Sequence, residues 1–313
     1  MFFHNLTNKP FWKRIKRRIE FPMEKLFMEI KLSTIIKAYP EPKSFTMDSE
    51  IAGIGSCFSQ YVMEELRRLG FHTSSNPNGI VYNSHSILQS LKYLEKDYPE
   101  ETFFQDNSLW HSWEHHGFFS SKSKEELIWQ VNEAKKQFVE RLKKARLFIL
   151  TPSSSVVYVL KSSGRITANC HKVPNNNFSV EILSNEVNLA NLKESISLIK
   201  NYNPDCSVII TLSPVRHYPG NLCLNSRSKA NLLSAICECV EQTQNCMYFP
   251  SYEILLDELR DYRFYADDML HPSNLARQLI LDRFLESYFD QSSLIEIKER
   301  RKNLKLLNHR ILQ

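Results

Sequence analysis

Two adjacent side chains, Ser56 and Cys57, could act as nucleophiles. They follow an apolar run that ends at Gly55, and apolar residues at helical spacing follow them at Phe58, Val62, Leu66 and Leu69. This pattern predicts a strand, a sharp turn and a helix start. Unpaired N–H groups at a helix start lower the pKa of a thiol and can stabilise an oxyanion. A turn of small residues that serves only packing is the alternative.

A possible base lies far along the chain, in the segment Asp268-Met-Leu-His-Pro272. Asp268 and His271 are three residues apart in a short loop, so both can point into one site. The carboxylate would orient the imidazole through Nδ1–H and leave Nε2 as general base. A surface aspartate and a helix-capping histidine are the alternative for this pair.

The elements that would position these side chains alternate between strands and helices. Apolar runs predict strands at 51–55, 146–151 and 206–212, and shorter strands are predicted at 71–74 and 247–249. Helical patterns occupy residues 82–104, 125–146, 186–200 and 226–243. This alternation predicts an α/β fold with a parallel, doubly wound sheet, in which ligands bind at the carboxyl ends of the strands. Polar segments follow four of these strands, at 55–57, 76–79, 152–155 and 213–217.

Composition narrows the class of protein. The 313 residues are 42% hydrophobic and 24% charged, with a net charge of +5, which is ordinary for a globular protein with a sizeable core. No motif for nucleic-acid binding is present. Seven scattered cysteines without a CxxC favour a reducing compartment, so we expect a cytoplasmic protein. No apolar run is long enough for a transmembrane helix.

The two ends of the chain are basic. Residues 1–45 are predicted to be an N-terminal extension and linker that contact an anionic membrane surface weakly or form a solvated helix. Met23 and Met28 also allow a later start. Residues 291–313 are predicted to be a basic C-terminal helix. The main domain is expected over 46–290, with a helical insertion rich in His and Trp at about 82–146.

The histidines of this insertion raise the question of a metal. His111 and His115 are four apart, as zinc ligands on one helical face can be. No glutamate follows the first histidine in the HExxH manner, and Trp110 and Trp113 indicate a pocket wall or lid instead. We therefore predict neither a metal nor any other cofactor.

Several blocks together resemble one protein family. Gly55-Ser-Cys-Phe-Ser59 is similar to the opening of the GSCFA family, which itself resembles the SGNH (GDSL-like) hydrolases. Further blocks over roughly 45–285 match it, at 76–83, 110–120, 169–178, 213–217, 228–230 and 248–272. The resemblance implies a flavodoxin-like three-layer α/β sandwich and ester chemistry. The chain departs from the family pattern after the third strand, where it has Pro152-Ser-Ser-Ser155 and the family usually has a glycine.

The resemblance also implies roles for single residues. Alignment on Gly55 puts Cys57 at the position of the nucleophile, with Ser56 as the alternative. Backbone N–H groups of Cys57 and Gly79 and the amide of Asn169 would stabilise the oxyanion. Arg216 would bind a substrate anion, or form an ion pair with acids at 253–261. The remaining residues expected around the substrate are Asn76, His116, His171 and His217.

We therefore expect an esterase or acyltransferase that acts on an O-acyl group of a small molecule or saccharide through a covalent acyl-enzyme. A catalytically inactive ligand-binding protein on the same fold is the alternative. The altered segment after the third strand favours that alternative. The combined presence of Cys57, Asp268, His271 and Asn169 argues against it.

Overall fold

A parallel sheet forms the centre of the protein in the computed structural model, which describes residues 34–38, 45–217 and 221–311. Within these residues the sheet has five strands: β1 (Ile51–Gly55), β2 (Thr73–Ser75), β5 (Leu147–Thr151), β9 (Ser207–Ile210) and β10 (Cys246–Tyr248). They lie in the order β10-β9-β5-β1-β2. When the five strands are numbered by their order in the chain and read from the β2 edge, the order is 2-1-3-4-5, which is flavodoxin-like. The predicted parallel α/β fold is confirmed.

The three central strands, β1, β5 and β9, are buried on both faces, which explains their continuous apolar runs. Alternate residues of β1 enter different apolar layers, because neighbouring side chains of a strand point to opposite faces. Ile51 packs with α1 (Cys57–Arg68), α6 (Asn274–Tyr288) and α7 (Gln291–Ile311). Ile54 packs on the other face with α2 (Ser84–Lys92), α3 (Lys124–Leu142), α4 (Asn185–Tyr202) and α5 (Leu222–Glu241). The result is a three-layer sandwich.

The insertion between β2 and β5 is not purely helical, which corrects our expectation. Between α2 and α3, the strands β3 (Phe103–Asp106) and β4 (Leu109–Ser112) form an antiparallel hairpin. Trp110 and His111 therefore lie on a strand, where the aromatic residues of this hairpin are favourable. A 3₁₀ turn at Glu100–Thr102 precedes the hairpin.

A second antiparallel sheet was not predicted. It contains β6 (Val156–Leu160), β7 (Arg165–Thr167) and β8 (Phe178–Ile182), with β6 in the middle. β7 and β8 are mostly half-buried or exposed, and β6 is apolar throughout but buried only at Val156 and Val157, so these strands lack the fully buried run that marks the centre of the main sheet. Short helical turns complete the fold at Asn175–Asn177, Ser251–Glu253, Ile254–Leu259 and Tyr262–Phe264.

The predicted basic extension lies outside the described residues, apart from 34–38 and Phe45. We describe the compact unit that spans Ile35–Gln313. No helix in the described part of the chain is long and apolar enough to cross a membrane.

Candidate active site

The turn between β1 and α1 is tightly packed. Ser56 is the N-cap of α1 and is fully buried, and its N–H donates to the carbonyl of Thr151 at 3.1 Å. A Cβ atom at Gly55 would lie 2.4 Å from that same carbonyl oxygen, so glycine is required where β1 meets β5. This packing fixes Cys57 as the first residue of the helix.

Cys57, His271 and Asp268 come together at the surface. The Sγ atom of Cys57 lies 3.5 Å from Nε2 of His271. The other ring nitrogen of His271, Nδ1, lies 2.7 Å from Oδ2 of Asp268. The side chains of His271 and Asp268 are each a little under half exposed, so a substrate can reach them. The arrangement is that of a nucleophile, a base and an orienting carboxylate.

The loop that carries the histidine is held by its own backbone. Oδ1 of Asp268 accepts hydrogen bonds from the N–H groups of Leu270 and His271, both at 2.9 Å. These N–H groups, with the His271 ring, lower the pKa of Asp268 to about 2. The carbonyl of Leu270 accepts from the N–H of Arg216 at 3.0 Å, which ties the loop to the segment after β9. Asp268 is thus fixed as a carboxylate.

Burial raises the pKa of the Cys57 thiol above its usual value. Four groups oppose this effect: the backbone N–H groups of Phe58 and of Cys57 itself, and the charges of Lys229 and Arg277. The thiol therefore needs a base to ionise. Once it has ionised, the two N–H groups and the two cations stabilise the thiolate. Both features suit a nucleophile that is activated by His271.

Lys229, Tyr82 and Arg277 interact electrostatically with this thiol, and the sequence assigned them no role. Lys229 is 2% exposed and is close enough to the thiol to influence its ionisation. The charge of Cys57 in turn raises the pKa of Tyr82, after the larger effect of burial. Arg277 stacks on the ring of Tyr61. A lysine within the apolar pattern of α5 was the one available signal.

Gly79 and Asn76 form hydrogen bonds within the protein at the groups that were expected to face the substrate. The N–H of Gly79 donates to the carbonyl of Asn76 at 2.8 Å, so the turn itself occupies the predicted oxyanion donor. The side chain of Asn76 accepts from the N–H of Gly55 at 2.8 Å and donates to Gln60 at 3.0 Å. The bonds of Asn76 anchor the end of β1 to α1, and the oxyanion role of Gly79 stays a prediction.

The segment after β5 is closed by hydrogen bonds in the same way. The N–H groups of Ser153 and Ser154 both donate to the carbonyl of Tyr82, at 2.7 and 3.0 Å. The hydroxyl of Ser228 lies 2.9 Å from that of Ser154 and accepts from the N–H of Ser155 at 2.7 Å. This segment therefore braces the loop that bears Tyr82.

His171 contacts the hairpin of the insertion, and Asn169 bonds to His171. Oδ1 of Asn169 accepts from the N–H of His171 at 2.8 Å, and Nε2 of His171 lies 2.7 Å from the carbonyl of Ser112. Burial is the main cause that lowers the pKa of His171 to about 4, so it is neutral at pH 7. No contact of Asn169 or His171 with Cys57 is observed among the described residues, and the oxyanion role of Asn169 stays a prediction.

His116, Arg216 and His217 lie on loops near the carboxyl edge of the sheet. A Cβ atom at Gly79 would lie 2.4 Å from that of His116, so the two backbones meet closely. The centre of the His217 ring lies 4.9 Å from that of the Tyr82 ring, with the planes tilted by 34°, and burial lowers the pKa of His217 to about 4. The guanidinium of Arg216 lies over the Tyr265 ring at 4.4 Å, and no ion pair with an acid is observed for it within the described residues. Their contact with a substrate stays a prediction.

Comparison with known proteins identifies the family. Residues 50–284 match the GSCFA family. The chain belongs to the GSCFA family. The blocks that indicated this resemblance include the turn that carries Cys57 and the loop that carries Asp268 and His271. No curated protein sequence matches the chain.

Solved structures with a similar arrangement include two carbohydrate esterases of family 3. The enzyme from Talaromyces cellulolyticus is 13% identical, with a TM-score of 0.36, over 81% of this chain and 99% of that one. The enzyme from Clostridium thermocellum is 12% identical, with a TM-score of 0.33, over 76% and 93%.

The histidines of this GSCFA chain are not arranged as the zinc hypothesis requires. His111 lies on β4, whereas His115 lies in the turn that follows, with its Nδ1 atom 2.6 Å from the hydroxyl of Ser112. Within the described residues, no group of three or more His, Cys, Asp or Glu side chains is placed to hold a metal ion. His111 instead packs against Phe104 and His171 in an aromatic cluster.

Proposed function

We propose that this protein is an esterase or acyltransferase that forms a covalent acyl-enzyme on Cys57. The observation that carries the proposal is the contact between Cys57 Sγ and His271 Nε2, with Asp268 on the far side of the ring. A carboxylate at Nδ1 stabilises the tautomer with its proton there. That tautomer leaves the lone pair of Nε2 facing the thiol.

The reaction would proceed in two halves. His271 takes the thiol proton of Cys57 while Sγ attacks the carbonyl carbon of an ester. The bond from that carbon to the alcohol oxygen then breaks, the alcohol leaves with the proton from His271, and a thioester remains. In the second half water or another alcohol attacks the thioester, gives its proton to His271, and releases Cys57, which regains that proton.

Two observations favour Cys57 over Ser56 as the nucleophile. Ser56 is fully buried, and its hydroxyl has no hydrogen-bond partner among the described residues. Cys57 is partly exposed and contacts the base. A hydroxyl that meets no base cannot be activated, whereas a thiol beside an imidazole can.

The start of α1 supplies stabilisation for negative charge. The N–H groups of Phe58 and Cys57, at the first two positions of α1, lower the pKa of the thiol. Groups aimed at a developing charge before the reaction begins are the usual source of oxyanion stabilisation. Asn169 stays our predicted side-chain donor.

The substrate class follows from the resemblance to SGNH hydrolases. It points to O-acyl groups on small molecules or saccharides. A thioester intermediate suits transfer to a second alcohol as well as hydrolysis, because thioesters are acyl donors to both. We therefore propose ester cleavage as the common first half and leave the acceptor to experiment.

The test is intact-protein mass spectrometry after brief incubation with a panel of activated acyl esters. We expect a single acyl adduct on the wild type. It should be lost in Cys57→Ala, retained in Ser56→Ala, and formed far more slowly in His271→Ala. Neutral hydroxylamine should remove it, as it removes thioesters.

Exposed thiols need a matched control, because any free cysteine can react with an activated ester. Cys223 and Cys237 are exposed, so the Cys223→Ala and Cys237→Ala variants should keep the adduct. Peptide mapping should place it on Cys57. An adduct that survives in Cys57→Ala and disappears in Ser56→Ala would assign the nucleophile to Ser56.

A ligand-binding protein without catalysis is the second candidate. The occupied N–H groups of Gly79, Ser153 and Ser154 favour it, because they remove three donors from the strand ends. Absence of an adduct with every ester, in protein shown to be folded, would support this candidate and contradict the covalent mechanism.

A further inference from the structure

Lys229 is a buried cation at the carboxyl edge of the sheet. Its ammonium donates to the carbonyl of Ser213 at 2.6 Å and lies 3.5 Å from the hydroxyl of Ser153. Those two residues follow β9 and β5. The ammonium also lies 5.5 Å from the centre of the Tyr252 ring. Lys229 is therefore fixed between two strand ends beside the strand that leads to Cys57.

Within the described residues, no carboxylate forms an ion pair with this ammonium. Lysine is almost never fully buried without a partner, because removing its charge from water is costly. A neutral carbonyl and a hydroxyl satisfy hydrogen bonds but do not balance the charge. Such a residue needs a negative group that is present during function.

The ionisable and charged groups around Lys229 and Cys57 come from several elements. Cys57 interacts with His271, Tyr82 and Arg277. Lys229 interacts with His217 and Tyr252. His217 is neutral at pH 7, and burial holds the pKa of Tyr82 above its usual value. The thiolate of Cys57 is thus the anion available to Lys229 in this group.

We propose that Lys229 is a positioning residue whose buried ammonium stabilises the thiolate form of Cys57. The inference rests on the proposed function, since it assigns the charge that Cys57 carries as nucleophile. Opposite charges in a site shielded from water interact more strongly than they do at a surface. Ionisation of the thiol and retention of the ammonium proton would therefore support each other.

Burial disfavours the charged form of both groups, and the charge of each opposes that effect in the other. Burial lowers the pKa of Lys229 to about 7, and the charge of Cys57 opposes that effect. The charge of Lys229 likewise opposes the effect of burial on the thiol. Each group thus favours the charged form of the other.

The first experiment measures how alkylation of Cys57 by iodoacetamide depends on pH, read at the Cys57 peptide by mass spectrometry. Only the thiolate reacts, so the midpoint reports ionisation without any acyl substrate. We expect Lys229→Met to raise the midpoint by about one pH unit or more and to slow alkylation near pH 7 about tenfold. Lys229→Gln, which keeps a donor for Ser213, should behave like Lys229→Met because the charge is absent.

The chain offers a matched control in Lys135. It is 4% exposed, donates to the carbonyl of Lys96 at 2.8 Å and lies 5.4 Å from the Tyr98 ring. Lys135→Met therefore removes a similar buried ammonium without removing one near Cys57. We expect its alkylation profile to match the wild type. Profiles for the Lys229 variants that also match the wild type would overturn the proposal.

A reciprocal measurement covers the case in which the Lys229 variants do not fold. Titration of lysines labelled with ¹³C at Cε, followed by NMR, reports the pKa of Lys229 in folded protein. Lys135→Met separates the signals of the two buried lysines. In Cys57→Ala the Lys229 pKa should fall, by linkage. An unchanged titration would contradict the proposal.

The two hypotheses can fail separately. If no ester acylates Cys57 but the alkylation midpoint still depends on Lys229, the charge relationship holds and the acyl-enzyme fails. If Cys57 is acylated and the midpoint does not respond to Lys229, the acyl-enzyme holds and the role of Lys229 fails.

Discussion

The Sγ of Cys57 lies 3.5 Å from the Nε2 of His271, although 214 positions separate the two residues in the chain. The contact depends on two helices that pack in one apolar layer. Phe58 of α1 and Ala276 of α6 are both buried there. Because each reactive side chain lies at or just before the start of its helix, helix packing sets the distance between them.

The first prediction concerns the orientation of His271. In Asp268→Asn, an amide N–H can face Nδ1 while the amide oxygen keeps the backbone bonds of the loop. The ring would then carry its proton on Nε2 and could not accept one from Cys57. We expect kcat for ester cleavage to fall by about 10³ or more, by analogy with other triads.

The pH–rate profile and a neighbouring variant test this prediction. The pKa of Asp268 is about 2, so its carboxylate is present above that value and should contribute no acid limb above pH 4. Asp267→Asn, at the adjacent exposed position, should retain wild-type activity. Equal activity in Asp268→Asn and Asp267→Asn would show that the carboxylate does not orient the base.

The second prediction concerns the turn before Cys57. In Gly55→Ala the new methyl group would meet the backbone of Thr151 at 2.4 Å, so β1 and β5 must separate. We expect the free energy of unfolding to fall by about 1–3 kcal/mol, as for other overpacked sites. Activity should fall further than stability requires, because Cys57 is only two residues away.

Gly117 provides the control for this substitution. A Cβ atom there would meet nothing within 4 Å, so Gly117→Ala should change stability by no more than about 0.5 kcal/mol. Urea denaturation of both variants and the wild type measures the difference. A Gly55→Ala variant as stable as Gly117→Ala would mean that the close approach of the two strands is not needed.

The third prediction concerns stability in acid. Burial lowers the pKa of His115 to about 3, whereas an unfolded histidine has a pKa near 6.5. Between these values the unfolded state binds more protons, so the free energy of unfolding falls as the pH falls from about 6.5 to 3. His171 and His217, with pKa values of about 4, act in the same direction.

In His115→Gln the unfolded state should lose the extra proton that it binds at this histidine. The slope of unfolding free energy against pH should decrease by up to about 1.4 kcal/mol per pH unit between pH 6 and 4. His72→Gln, at an exposed position, is the matched control for the loss of an imidazole. Urea denaturation at several pH values gives both slopes, and equal slopes for the two variants would contradict a neutral, buried His115.

The central sheet was predictable because its signal is local. A strand that is buried on both faces must be apolar throughout, and the runs with that property became β1, β5 and β9 at the centre of the sheet. The hairpin at β3 and β4 was predicted wrongly as helical. Its strands are four residues long and mostly half-buried, so their side-chain pattern resembles that of a partly exposed helix.

By itself, the sequence determined the α/β class, the family, and the segments that carry Cys57, Asp268 and His271. Short-range patterns and ordered blocks are sufficient for these conclusions. Only the tertiary structure decided that Cys57, not Ser56, faces the histidine, that the turn occupies the N–H of Gly79, and that Lys229 lies buried without a carboxylate partner among the described residues. The physical reason is that a polar group's partners come from segments distant in the chain, and burial and hydrogen bonding are set only when those segments pack.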